Sequence, residues 1–562
     1  MPSLAQISKA LKVKPIVSKY LGDDAYRKLR HYGLKAQMGL QRSQTFYTQS
    51  TVNKETDQKH KSQNRPKSKG LRWTEIDAIL PSAAYDYNFT TVADALDQAG
   101  IKWWVVKGLH AGRHVIGVSE SERAAALEAL RIAADASKAP LYVMNAQGKN
   151  PQIDASNIGT VPNLQDVEVL RVVSPRRSQT DSRKYGFAFG CDIEFWKLPS
   201  SEAVDMMVYA PRENQASRIL STKDFEFSST VISSRQVKIP NVFTKTFLDE
   251  CAFPIDAVYT WVDGDDVEWQ ESRLRLQAEL SGEEFHPEAV HTARFRSRDE
   301  LKYSLRSLEY FAPWFRKIFI VTADQTPEWL NVNHPKIQVV SHREIFDEKD
   351  LPTFNSNAII SRLHHIPDLS ENYVYINDDV LFGRPVTKEQ FFTPGGIALV
   401  SPSNNRRPFG PPVVDDGPHF NITRNIRSLL EAEFGVLVSR AIKHTPHPMI
   451  KSVHFEMESR FSDVYFATCG SRFRHHDDIV ADQLHHYYAQ ICGNATTGTL
   501  TYNYINILDD KYSSVLIDTL KLKDRDAFCI NDAPVDGATP IDDEVVNEFF
   551  ETYFPVKSEF EI

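Results

Sequence analysis

Twice in this chain an apolar, β-branched run ends abruptly in carboxylates. IDAVYTWV (255–262) runs into DGDD (263–266), and YVYIN (373–377) runs into Asp378 and Asp379. Near-continuous apolar runs of this kind are strands buried on both faces, the habit of parallel sheets covered by helices. The segment between them alternates in type. SRDELKYSLRSLEYFAP (297–313) places Leu301, Leu305, Leu308 and Phe311 at helical spacing, with Ser297 and Glu300 set as a capping box and Pro313 behind its end. KIFIVTA (317–323) and KIQVVS (336–341) read as strands. The β-α-β alternation predicts an α/β unit with a mostly parallel sheet. Such sheets bind ligands beyond the carboxyl ends of their strands, where both acidic clusters fall.

The chain of 562 residues has room for more than this unit. Residues 1–70 hold 15 Lys and Arg against 4 Asp and Glu, although the whole chain carries a net charge of -9. A basic leader ending in a polar linker (about 48–70) suits either a solvated tail or peripheral contact with anionic head groups, worth about 1 kcal/mol per basic residue. Residues 71–250 read as an α+β module, a small sheet with helices on one face and no catalytic constellation. Its helices are expected at 92–100, ended by Gly100, and at 119–136, with Ser119 and Glu122 as a capping box; strands are expected at 101–108, 114–118, 140–144, 167–173 and 184–197. Residues 251–562 form the α/β unit, helix-prone over 415–505 and closing with FCIND (528–532) and an amphipathic acidic helix. Five scattered cysteines imply no disulfide framework and a reducing compartment. No apolar stretch reaches the ~20 residues needed to span a bilayer, and Lys9, Lys12, Lys14 and Lys19 interrupt any signal peptide. The expected location is the cytoplasm, with peripheral contact at the inner face of the membrane, and no nucleic-acid partner.

Five constellations could carry chemistry. Adjacent carboxylates at a buried strand end repel and resist desolvation, and a divalent cation offsets both effects; oxygen ligands favour Mg2+ or Mn2+ bridging substrate phosphates. Asn377, Asp378 and Asp379 fit that description, although a plain turn closing a strand has the same letters. Asp263, Gly264 and Asp266 form the second acidic turn, with Trp261 able to stack on a base, or an ordinary surface turn. In HTPHP (444–448), His444 and His447 lie in a stiff loop and either could serve as a base. Zinc is disfavoured there because no Cys or third His stands nearby in sequence. RFRHHDD (472–478) clusters Arg472, Arg474, His475 and His476, a phosphate-binding set or a solvated helix start. Arg294, Arg296 and Arg298 precede a helix N-terminus that favours anions, with Arg298 equally at home on a plain surface helix. The absence of P-loop, GxGxxG, GxSxG and HExxH motifs argues against NTPases, nicotinamide enzymes, α/β-hydrolases and zincins.

Taken together, IDAVYTWVDGDD (255–266), the run from RFRSRDELKYSLRSLEYFAPWFRKIFIVTADQTPEWL to YINDDVLFG (294–383), HTPHPMI through RFRHHDD (444–478), and FCINDAP (528–534) resemble the four blocks of the Stealth family of hexosyl-phosphate transferases. That family includes bacterial capsular polysaccharide phosphotransferases and the catalytic subunit of the lysosomal-enzyme N-acetylglucosamine-1-phosphotransferase. The resemblance covers about residues 254–560 and implies a GT-A-like nucleotide-sugar transferase core. By the same resemblance Asp378 and Asp379 match the metal pair, and Asp263 and Asp266 the nucleotide-sugar pocket. His444 or His447 matches the active-site histidine, Arg474 an active-site arginine, and Asn531 and Asp532 a position near sugar or phosphate. Asp263 departs from the lysosomal-enzyme transferase, which has Asn there. The implied reaction moves hexose-1-phosphate from a UDP-sugar to a hydroxyl of a growing glycan or glycolipid and releases UMP. A glycosyltransferase releasing UDP, a metal-dependent phosphohydrolase and a non-catalytic scaffold are the rival readings.

Overall fold

The computed structural model describes residues 71–562 apart from 110–111, 148–151, 161–163, 165, 182, 200–206, 281–296, 414–417, 534 and 536. The basic leader and Arg294 therefore lie outside the described residues. The chain divides into two compact units between Leu248 and Asp249.

In the first unit six strands lie in the order Trp103–Val105, Val115–Ser119, Cys191–Trp196, Val169–Val173, Tyr142–Asn145, Ile153–Asp154. Helices Pro81–Gln98 and Arg123–Ala136 share a core with one face of this sheet, through Leu96, Leu127 and Leu130 against Ile193 and Phe195. The opposite face packs Trp104 and Trp196 against Val208, Leu220 and Phe225. The helix expected at 92–100 begins eleven residues earlier, because Pro81 starts it and Tyr85 and Phe89 continue the buried stripe of Val92 and Leu96 upstream. The capping box expected at Ser119 does not form. A one-turn 3-10 segment, Glu120–Glu122, intervenes before the helix, and Ser119 Oγ bonds Ser121 Oγ instead at 2.7 Å.

In the second unit, elements are labelled from its start. Strand β1 (Ile255–Thr260) is followed by helices α1 (Val267–Glu279) and α2 (Glu300–Phe311), then β2 (Ile318–Thr322) and β3 (Ile337–Ser341). Helix α3 (Ser356–Arg362) leads to β4 (Asn372–Asn377) and the short β5 (Val380–Phe382). Further on come β6 (His447–Ile450), α4 (Lys451–Arg460), α5 (Ala481–Ile491), β7 (Tyr502–Asn506), β8 (Ala527–Asn531) and α6 (Asp543–Tyr553). The main sheet has the order β3-β2-β1-β4-β6, parallel except for β6. Every residue of β2, and all but the last of β1, is buried, as their apolar runs require. A second sheet, β5-β8-β7, continues directly from the turn after β4. The architecture is therefore mixed α/β with a mostly parallel sheet, accompanied by a smaller N-terminal region.

Chain order runs outward from β1 to β3 on one side, then returns to place β4 on the other. The sheet's topological switch point lies between β1 and β4, where crevices form in such folds. Thr260 pairs with Asn377, so the two strands end level and present both acidic turns at one edge. At the opposite end of β1, Asp256 is fully buried and held by Arg316 at 2.6 and 2.8 Å and by the amide of Ser370 at 2.7 Å.

Helix α2 starts at Glu300, two residues later than its capping box required. Ser297 Oγ accepts from the amide of Asp299, and Glu300 Oε2 accepts from that of Arg298, so both side chains bond locally. Asp299 itself is left-handed, with φ of 62°. Toward the C-terminus of α2, burial beside Glu559 and Glu561 pushes the Glu309 carboxyl up to about 7 from its usual 4.5. Between these values the folded protein holds a proton that the unfolded chain has released, so this group erodes stability as pH rises. Glu309→Gln should accordingly melt above the parent at pH 8, with the gap closing by pH 5, measured by thermal denaturation across that range. No helix among the described residues is long and apolar enough to cross a membrane.

Candidate functional site

The turn after β4 carries Asp378 and Asp379, both half-buried. Burial, and after it the neighbouring carboxylates Asp379 and Glu300, hold the Asp378 carboxyl well above the usual carboxylate range. Asp379 stands differently. Burial works against its charge, but His444 beside it, with hydrogen bonds from Asn531 and Cys529, outweighs that and lowers its pKa.

Tertiary structure assembles the rest around Asp379. His447 pairs with Tyr375 in the antiparallel β4–β6 ladder, so His444, three residues earlier, falls level with the turn. Its Nε2 lies 3.1 Å from Asp379 Oδ1 and 3.1 Å from Asn377 Nδ2. Burial disfavours an imidazolium at His444, but the Asp379 charge and hydrogen bond prevail and raise its pKa above the ordinary 6.5. From β8, antiparallel to β5, Cys529 Sγ donates to Asp379 Oδ2 at 3.2 Å and Asn531 Nδ2 donates to the same oxygen at 3.1 Å. Asn531 is itself fixed by the Tyr504 hydroxyl at 2.9 Å.

A cleft of about 710 Å3 opens at the ends of β1 and α2, lined among others by Trp261, Asp263, Arg298, Tyr303, Trp329 and Asp543. Arg298 joins its wall to the fourth motif, reaching Asp543 at 2.8 Å and Asp532 at 3.4 Å. It is not the solvated residue of a plain surface helix: its side chain is 6% exposed.

The remaining sequence candidates take other places. Gly264 offers its carbonyl to Gln270, and Asp266 caps α1 by accepting from the amide of Trp269 at 2.8 Å. His447 belongs to a strand, not a loop. It is buried with Nδ1 2.7 Å from Asp482 and Nε2 2.9 Å from the carbonyl of Lys443, so both nitrogens are engaged by the protein. Arg474 donates to Ser356 Oγ at the start of α3, and His475 faces Asp477 at 3.7 Å. Sequence reasoning missed Cys529, Tyr303, Trp329 and Asp543. Cys529 stood within a motif already singled out, but its thiol gained meaning only when β8 paired with β5. For the same reason the missing third ligand near HTPHP was found: Asp379, His444 and Cys529 bring ligand atoms within 4.8 Å of one another.

The residues fit a divalent cation. Asp378 is a carboxyl raised by burial and by other carboxyls. Asp379 Oδ1, which His444 alone contacts, keeps lone-pair capacity for an ion, while Oδ2 is taken up by Cys529 and Asn531. Asp378 would be the more open ligand and Asp379 the shared one.

Models of Stealth protein conserved regions 1, 2, 3 and 4 match residues 253–279, 294–400, 443–490 and 518–562. Among curated relatives, an exopolysaccharide phosphotransferase of Streptomyces coelicolor is 37% identical over 88% of this chain, which spans 52% of that protein. A second from the same organism is 36% identical over 86% of this chain and 83% of its own length. The exopolysaccharide phosphotransferase CpsY of Mycobacterium leprae is 34% identical over 86% of this chain and 88% of its own. Among solved structures, the galactosyltransferase LgtC aligns with 54% of this chain and 97% of its own at 11% identity and a TM-score of 0.28. Mouse xyloside xylosyltransferase 1 aligns with 50% of this chain and 99% of its own at 11% identity and 0.26, and neither likeness is strong enough to bear on chemistry. The four matched regions, in order, and relatives 36% and 34% identical that the chain covers over 83% and 88% of their length, place the chain in the Stealth protein family.

Proposed function

We propose that the chain transfers a hexose-1-phosphate from a UDP-sugar to a hydroxyl of a growing exopolysaccharide and releases UMP. Its relatives named exopolysaccharide phosphotransferases support sugar-phosphate transfer in exopolysaccharide synthesis. The observation that carries the finer reading is the junction of Asp379, His444 and Asn531 beside Asp378 at the sheet's switch point.

Asp378 and Asp379 would hold Mg2+ or Mn2+, which when bound neutralises the diphosphate and the departing UMP. Asp379 Oδ1 receives the Nε2–H of His444 and so leaves the lone pair on Nδ1. That nitrogen takes the proton of the acceptor hydroxyl as its oxygen bonds to the β-phosphorus and the bond to the UMP oxygen breaks. Asn531 holds the carboxylate in register, and Asn377, whose NH2 cannot bond a nitrogen that is itself donating to Asp379, is assigned to the substrate. Trp261 and Asp263, with Arg298, line the cleft that receives the donor, and Asp532 anchors Arg298. Arg474 and His475 are assigned to the donor phosphates. His447 stabilises strand β6 through Asp482. Phosphoryl transfer asks mainly for placement and charge stabilisation, which this set supplies.

A panel of UDP-sugars labelled with 32P at the β-phosphate tests the reading, with Mg2+ and a glycan acceptor. The expected outcome is label in the glycan and unlabelled UMP in solution. Labelled UDP would identify a glycosyltransferase instead, and free labelled sugar phosphate in the presence of acceptor a hydrolase.

A further inference from the structure

Away from the carboxylate turn, two consecutive histidines converge on one acid. His364 and His365 occupy a one-turn 3-10 segment, Leu363–His365, and Glu458 comes from α4. His364 Nε2 lies 3.0 Å, and His365 Nε2 2.9 Å, from the same oxygen, Glu458 Oε2. The other oxygen is held by Arg362 at 2.5 Å, whose Nε is anchored on the carbonyl of Ile345. Phe455 packs edge-on against both imidazoles at 4.7 and 5.2 Å and fixes their planes. The place is the far end of β4 from Asp379: His454, stacked on His364, packs against Tyr373 near the strand's first residue.

We propose that His364, His365 and Glu458 form a second cation site, of the zinc type, distinct from the Asp378–Asp379 pair. Three ligand atoms within 4.8 Å of one another match the reach of a single ion, and a His2Glu donor set selects borderline ions such as Zn2+ over Mg2+. Arg362 holds one carboxylate oxygen and leaves the other aimed at the imidazoles, the outer support that zinc sites use. His365, 27% exposed on its side chain, provides the entry path and room for a water as fourth ligand.

The test uses the full chain carrying Asp379→Asn, Cys529→Ser and His476→Gln, which disables the two other groups of possible ligands among the described residues, Asp379–His444–Cys529 and His475–His476–Asp477. After equilibration with Zn2+ and dialysis, elemental analysis should find about one zinc per chain. Zn2+ should raise the melting temperature and Mg2+ should not. Adding His365→Gln should remove both the zinc and the shift, and Glu458→Gln should do the same. Cobalt in place of zinc should give visible ligand-field absorption without a thiolate charge-transfer band, a readout that stands even if the added variants fold poorly. No zinc retained, or zinc retained undiminished by both substitutions, would show that the three residues are an ion pair only.

Discussion

Asp379→Asn should reduce sugar-phosphate transfer by about 10^3-fold or more, equivalent to ~4 kcal/mol of transition-state stabilisation, while leaving the fold intact. Two effects combine. The charge that would help hold the cation is lost. The amide also has one acceptor oxygen, which Cys529 Sγ and Asn531 Nδ2, already sharing Oδ2 in the parent, hold on their side. Its NH2 is then turned toward His444 Nε2, which must accept instead of donate. The proton moves to Nδ1, and the lone pair that faces the acceptor disappears, the tautomer reversal known when an orienting aspartate is amidated in a serine protease. Turnover by UMP release, with circular dichroism and melting temperature as controls, checks this. A folded variant that keeps more than about a tenth of the parent rate would sink the assignment. The same variant should also show a smaller Mn2+-induced rise in melting temperature.

His444→Ala and His447→Ala should fail in opposite ways. His444 is about one-third exposed and bonded only within the site, so its loss should lower turnover by about 10^2- to 10^4-fold with little change in stability. His447 is buried against Asp482, and its removal strands that carboxylate away from water. Breaking such a buried pair costs about 3–5 kcal/mol, or roughly 5 °C or more in melting temperature for a unit of this size. Turnover per folded molecule should then stay within a few-fold of the parent. Denaturant titration and single-temperature kinetics on both variants decide it. Equal loss of turnover per folded molecule in the two would mean that His447, too, takes part in the chemistry.

Much of the architecture could be read along the chain. The strands expected at 255–262, 317–323, 336–341 and 373–377 appear at Ile255–Thr260, Ile318–Thr322, Ile337–Ser341 and Asn372–Asn377. Strands buried on both faces announce themselves because most of their side chains must be apolar, Asp256 being held by Arg316. Helix starts were read less well. Both expected capping boxes, at Ser119 and Ser297, were displaced by local side-chain bonding and 3-10 or left-handed backbone, alternatives of nearly equal energy that a four-letter pattern cannot rank.

The sequence by itself determined which chemistry was on offer: carboxylates placed after buried strands, a pair of histidines, and arginines around them. Buried strands are specified by local periodicity, and so the ends at which those acids stand are specified too. Only the tertiary structure chose among partners. His444 meets Asp379 across 65 residues and Arg298 meets Asp532 across 234, while His447 is turned to Asp482. Those meetings depend on the order of strands in the sheet and on the antiparallel register of one short edge strand. Hydrophobic pattern carries no record of either, because it fixes which face a side chain takes and not which neighbour it finds there.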